Sequence, residues 1–177
     1  MSDNYIITYS GVKFDLLNPK PEMVLIKDIA HALSNICRFT GHTQQFYSVA
    51  QHSVECSRLV TSSGYRLESL LHDAHEAYIG DVATPLKRLL PDYQKVEERV
   101  ASVVRTRFGL PEETSTIVKD VDLRALGLEK RIALRCSSLE DRWDCLQSTP
   151  ITNGFLHLWT PEEAEKRFLE WFYELAD

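Results

Sequence analysis

The pentapeptide His72-Asp73-Ala74-His75-Glu76 constrains this chain more than any other stretch. It follows Leu70-Leu71, in a segment whose apolar residues would carry it into a core. Ionisable groups in such a place are costly to bury unless they pair or coordinate an ion. If the segment is helical, His72, Asp73 and Glu76 project towards one side, because residues three and four apart are neighbours on a helix surface. The fold must then wrap a core around a polar centre. A divalent metal, taking a nitrogen from His72 and an oxygen from Asp73, is the economical occupant of that centre.

Around this segment the sequence is punctuated at helical intervals. Only the start differs: Tyr5–Tyr9, then Ser10-Gly11, then Val12–Leu16 reads as a small β-hairpin. Asp28–Phe39 carries Ile29, Ala30, Leu33, Ile36 and Cys37 on one stripe. Ser48 is a helix entry, and that segment ends near Ser62-Ser63-Gly64. The pentapeptide rides on a helix over Leu67–Ile79 that Gly80 stops. Pro91 opens a long amphipathic helix through Phe108, closed by Gly109. Further helices are expected over Pro111–Lys119, Asp122–Cys136 and Leu139–Gln147, then a loop over Ser148–Gly154. The last helix opens at Thr160-Pro161-Glu162-Glu163, a capping box with proline at the first position, and runs to Leu175. The expected fold is all-α, a helical bundle with a small N-terminal hairpin. With 177 residues and no internal linker, it forms a single domain over 1–177.

Charge narrows the partners. A formal net charge of −6 argues against general binding to a phosphate backbone, so no nucleic-acid partner is expected. No apolar run approaches the ~20 residues that span a bilayer, and no basic region precedes an apolar one near Met1, so a cytoplasmic protein without membrane attachment is expected. Cys37, Cys56, Cys136 and Cys145 form no CxxC pair and read as small buried hydrophobes in a reducing compartment.

Two further residues can complete a metal shell. His52 lies mid-helix between apolar neighbours, and Asp122 opens a later helical segment. Taken singly, His52 reads as a core histidine and Asp122 as a helix cap. Their order on successive helices makes the set. His52, His72, Asp73 and Asp122 supply two nitrogens and two carboxylates, a mixture that suits Mn²⁺, Co²⁺, Fe²⁺, Ni²⁺ or Zn²⁺ better than Ca²⁺; the expected cofactor is a divalent ion, Mn²⁺, Co²⁺, Mg²⁺ or Zn²⁺. Four protein ligands around a six-coordinate ion leave two positions for water and a substrate oxygen.

One His, then His-Asp, then a distant Asp is a signature by which the chain resembles the HD-domain phosphohydrolase superfamily. The likeness extends through Ile29–Ser34, Cys37-Arg38-Phe39-Thr40-Gly41-His42, Phe46–Ser53 and His72–Lys87. Its HDxxE and GDxxTPxK patterns are similar to those of bacterial 5′-deoxyribonucleotidases. In length and first block it is similar to phage dATP triphosphohydrolases. The resemblance implies a divalent metal held by His52, His72, Asp73 and Asp122, and Glu76 as general acid or base. Asp81 would orient the water and leaving group. Arg38 and Lys87 would meet phosphate, with Lys119 three residues before Asp122 in reach. His42 and His75 could assist; Arg88 and Arg124 are weaker candidates. Phe39, Phe46, Tyr47 and Tyr78 are possible stacking surfaces, although aromatics at such positions more often belong to a core. By analogy, Pro19–Val24 walls the sugar pocket, with Met23 and Val24 excluding a ribose 2′-hydroxyl.

The implied activity is hydrolysis of dATP to deoxyadenosine and triphosphate by metal-activated water at the α-phosphorus, clearing dATP from the nucleotide pool. A 5′-deoxyribonucleotidase acting on monophosphates is the alternative, and a non-catalytic nucleotide-binding module the alternative of another class. The motifs around Arg38–Ser53 fit a guanosine-tetraphosphate hydrolase or a cyclic-nucleotide phosphodiesterase less well. A homo-oligomer is expected because one domain does not bury both apolar edges of the amphipathic Pro91–Phe108 and Thr160–Leu175 helices, and the resemblance implies a dimer or hexamer.

Overall fold

The computed structural model describes residues 4–134, 143, 146 and 157–176. The hairpin forms as expected: β1 (Tyr5–Ile7) pairs antiparallel with β2 (Lys13–Asp15), Ile6 opposite Phe14. Gly11 takes a positive φ of 80° in the turn and donates its N–H to the Thr8 carbonyl. Phe14 is fully buried and stacks on Tyr78, ring centroids 3.9 Å apart, so the hairpin plugs one end of a helical body.

Eight α-helices lie among the described residues: α1 (Ile26–Asn35), α2 (Val49–Leu59), α3 (Arg66–Leu70), α4 (Glu76–Ile79), α5 (Thr84–Lys87), α6 (Pro91–Phe108), α7 (Thr116–Ala133) and α8 (Pro161–Ala176). None is long and apolar enough to cross a membrane. The all-α reading with a small hairpin holds. Helix α2 is the central element. Its flanks are covered by α1, α3, α7 and α8, and Val49, Ala50, Gln51, His52, Ser53, Val54, Cys56 and Ser57 are all buried. The main core gathers Phe14, Val24, Ile29, Leu33, Val49, Val54, Leu70, Phe168 and Phe172, while Cys56, Val60, Val121 and Ala125 form a smaller cluster between α2 and α7.

Several starts are written locally. Ser48 caps α2 by accepting the Gln51 N–H at 3.1 Å, and the Thr160–Glu163 box closes in both directions at 3.1 and 3.3 Å. Helix α6 ends at Gly109, in the left-handed conformation expected of a C-terminal glycine.

Other boundaries differ from expectation. Helix α1 ends at Asn35, short of Phe39. Residues 36–38 leave it to pair with 47–49: Arg38 N–H donates to the Tyr47 carbonyl, Val49 N–H to the Ile36 carbonyl, and Cys37 bridges Ser48. Beyond this bridge Phe39 and Thr40 both adopt φ near 54°, a left-handed geometry costly for residues bearing a Cβ. The single helix expected over Leu67–Ile79 is two short ones, α3 and α4, with tight turns through residues 71–75. Pro111–Lys119 and Asp122–Cys136 are likewise corrected. One helix, α7, begins at Thr116, because Ser115 caps it and the Ser115 N–H is itself held by the Glu68 carboxylate at 2.6 Å. The expected helix over Leu139–Gln147, apart from Trp143 and Leu146, and the loop over Ser148–Gly154 lie outside the described residues.

Candidate metal centre

Three segments meet between α2 and α7. Helix α2 supplies His52, fully buried; the turns after α3 supply His72 and Asp73; α7 supplies Asp122 from its exposed edge. His52 Nε2 lies 3.3 Å from His72 Nε2, 3.2 Å from Asp122 Oδ1 and 3.5 Å from Asp73 Oδ2. His72 Nε2 lies 3.2 Å from Asp73 Oδ2 and 3.9 Å from Asp122 Oδ1. The four ligand candidates therefore converge on one point.

The far side of each ring shows what that point is suited to hold. His72 Nδ1 donates to the Ser69 carbonyl at 2.7 Å, and His52 Nδ1 donates to the Glu129 carboxylate at 2.5 Å. A carbonyl or carboxylate can only accept, so each neutral ring carries its hydrogen on Nδ1 and turns the Nε2 lone pair inward. Two lone pairs and two carboxylate oxygens in mutual contact repel unless positive charge lies among them. Cys56 joins this neighbourhood: His52, Cys56, His72 and Asp122 each place a ligand-type atom within 4.8 Å of the others, a group able to hold a metal ion. Cys56 Sγ is nearly equidistant from the two ring nitrogens of His52, at 3.7 and 3.5 Å, so it flanks the ring and does not extend the Nε2 direction. These donors fit a divalent cation of borderline character.

Charges follow the geometry. Burial alone would lift the Asp73 carboxyl, yet His72 holds it well below the usual range; His52 and His72 do the same for Asp122. Glu76, almost wholly buried, behaves oppositely. Burial first, then the charges of Asp73 and Asp81, push its carboxyl well up, and its Oε2 has no hydrogen-bond partner among the described residues. Burial also raises Asp81, with Arg38 opposing and Asp73 reinforcing.

Of the expected phosphate contacts, Arg38 is at the centre: buried, it has Nη1 3.8 Å from Asp73 Oδ2. Lys87 donates to Glu97 Oε1 on α6 at 2.5 Å, and His75 Nε2 approaches the same oxygen at 3.4 Å. Lys119 is exposed on the first turns of α7, His42 is exposed after the Phe39–Thr40 kink, Arg88 is exposed, and Arg124 approaches Asp120 at 4.0 Å. Tyr47 and Tyr78 are core residues, while Phe39 and Phe46 keep accessible surface, Phe39 with the Arg38 guanidinium 5.3 Å from its ring centre. Val24 is fully buried in the main core and Met23 packs against it, so the proposed sugar wall is first of all core packing.

Residues that sequence reading passed over complete the site. Glu129, 1% exposed, touches His52, Arg38 and Tyr47. It lies two helical turns after Asp122, a spacing that places both on one face of α7. Cys56 stands one turn after His52 on α2 by the same rule. Glu97, on α6, accepts from Lys87 and approaches His75, and no sequence motif signalled it.

No established family model matches the chain. It is 44% identical over 176 residues to an uncharacterized protein, YfdR, of Escherichia coli K12, covering 98% of this chain and 97% of that one. It is 40% identical over 111 residues to an uncharacterized protein of Rhodobacter capsulatus, covering 58% of this chain and 57% of that one. The chain belongs to the family of the Escherichia coli protein.

Proposed function

We propose that this member of the YfdR family is a metal-dependent phosphohydrolase of deoxynucleotides, with dATP the first substrate to test. The observation that carries the reading is the convergence of His52, His72, Asp73 and Asp122 on one point, beside a buried carboxyl, Glu76, that favours its protonated form. A divalent ion bound there, Mn²⁺, Co²⁺, Mg²⁺ or Zn²⁺, supplies activation of a water and polarisation of a phosphoryl oxygen. The protein's own groups do the rest. Arg38 offers Nη1, the guanidinium nitrogen that does not bond Glu129, to a phosphate oxygen. Glu76, kept neutral by burial and by Asp73 and Asp81, holds a proton for the leaving oxygen. Attack of water at the α-phosphorus breaks the bond to the sugar 5′-oxygen, which takes that proton and departs as deoxynucleoside. With dATP the other product is triphosphate.

One observation favours a second reading. Of the three cations expected along a polyphosphate, Arg38 adjoins the centre, whereas Lys87 is engaged by Glu97 and Lys119 is exposed. Fewer cations suit a monophosphate, the substrate of a 5′-deoxyribonucleotidase. A panel of deoxy- and ribonucleotides with Mn²⁺, Co²⁺ or Mg²⁺, products resolved by ion exchange, decides between them. Deoxyadenosine and intact triphosphate from dATP, lost in Glu76→Ala, are the expected result. Phosphate from monophosphates alone moves the assignment to the nucleotidase. No turnover with any ion refutes both.

A further inference from the structure

Glu129 stands outside every expected role, yet no side chain in the site is more fully engaged. Its Oε1 accepts from the Tyr47 hydroxyl at 2.7 Å and from His52 Nδ1; its Oε2 accepts from Arg38 Nε at 3.2 Å and Nη2 at 2.9 Å. All four hydrogen-bonding directions of a carboxylate are therefore used. Each of two partners has a second face in the site: His52 turns Nε2 to the ligand point, and Arg38 brings Nη1 towards Asp73. A buried carboxylate that served packing alone would be a costly choice, since apolar residues of similar volume often replace such ion pairs without loss.

We infer that Glu129 is a positioning residue, one carboxylate that orients both His52 for the metal and Arg38 for the substrate phosphate; this rests on the metal-dependent reading above. Through Oε1 it fixes the ring hydrogen on Nδ1, leaving Nε2 as the ligand atom and increasing its basicity. Through Oε2 it holds the guanidinium by two parallel contacts, leaving Nη1 free to bind. Tyr47 closes the remaining position and keeps the carboxylate from turning. Metal site and phosphate site are thereby referenced to the same group.

Calorimetric titration of Zn²⁺ and Mn²⁺ into wild type and Glu129→Gln, without nucleotide, tests this. The amide cannot accept from all four donors and carries no charge, so the dissociation constant should rise about 10- to 100-fold. Equal affinity in the two proteins overturns the inference. A wild type that binds neither ion overturns the functional reading itself, and the inference with it. Should the variant not fold, the wild type alone decides, through long-range ¹H–¹⁵N correlation spectra of the Zn²⁺-loaded protein. His52 protonated at Nδ1 and ligated through Nε2 is required, and the opposite assignment refutes the role.

Discussion

Burial works against a positive charge on His52 and on His72, yet the groups around them reverse the effect. Cys56, Glu129 and Asp122 raise His52 well above the ordinary histidine value against the opposition of Arg38, and Asp73 with Asp122 does so for His72. Near neutral pH the metal-free rings thus hold protons that an ion must displace. Because the raised values lie above the ordinary one, the competition extends upward through neutrality. Affinity for Mn²⁺ or Zn²⁺ should therefore increase with pH, about tenfold per unit for each proton displaced. Calorimetry in buffers of different ionisation enthalpy counts those protons; a pH-independent affinity contradicts the protonation scheme. At this scale the sequence was readable where residue type and order sufficed: His52, His72, Asp73 and Asp122 do come together. Glu129 was not, because a glutamate beside Lys130 late in a helix looks like solvated charge, and only the approach of α2 and of the Arg38 segment buries it.

Helix boundaries were readable where the signal is a cap or a breaker. Ser48, the Thr160–Glu163 pair, Pro91 and Gly109 all act locally and lie where they were expected to act. The early end of α1 answers instead to a bridge between residues 36–38 and 47–49, which no local pattern encodes. The break between α3 and α4 has a chemical consequence. Turn geometry lets His72 Nδ1 reach Ser69 while Asp73 points to the same place as His72 Nε2. Gly80 closes α4 at φ 80° and ψ 160°, a region essentially reserved for glycine, and leads the chain to Asp81. A Cβ there would meet nothing within 4 Å, so the cost of Gly80→Ala is conformational. Urea denaturation should show a loss of about 1–3 kcal/mol. An unchanged midpoint would mean the turn tolerates side chains.

Over the whole molecule, the ligand candidates come from α2, the α3–α4 turns and α7, so a bound ion ties together elements that contact one another only in part through apolar groups. An ion that binds the folded chain and not the unfolded one stabilises by mass action, about 2.7 kcal/mol at a hundredfold excess over Kd. For a chain of this size that corresponds to a Tm increase of about 5–10 °C. Differential scanning calorimetry with Mn²⁺ or Zn²⁺ should show this increase and its reversal by a chelator; Asp122→Asn should reduce it. A Tm indifferent to every ion would leave the centre a network of hydrogen bonds.

The docking of α8 has a consequence in the order of synthesis. Helix α2 is covered on one side by α8: Trp171 donates to the Ser57 hydroxyl at 2.8 Å, and the segment leading into α8 bonds Gln51 through the backbone of His157 and Trp159. A ribosome delivers residues 49–59 long before residues 157–176. Once Asp122 has been added the nascent chain carries every ligand candidate of the centre, but the helix bearing His52 still lacks the part of its cover that α8 supplies. The side of α2 that α8 covers therefore closes only after all the ligand candidates of the centre have been made.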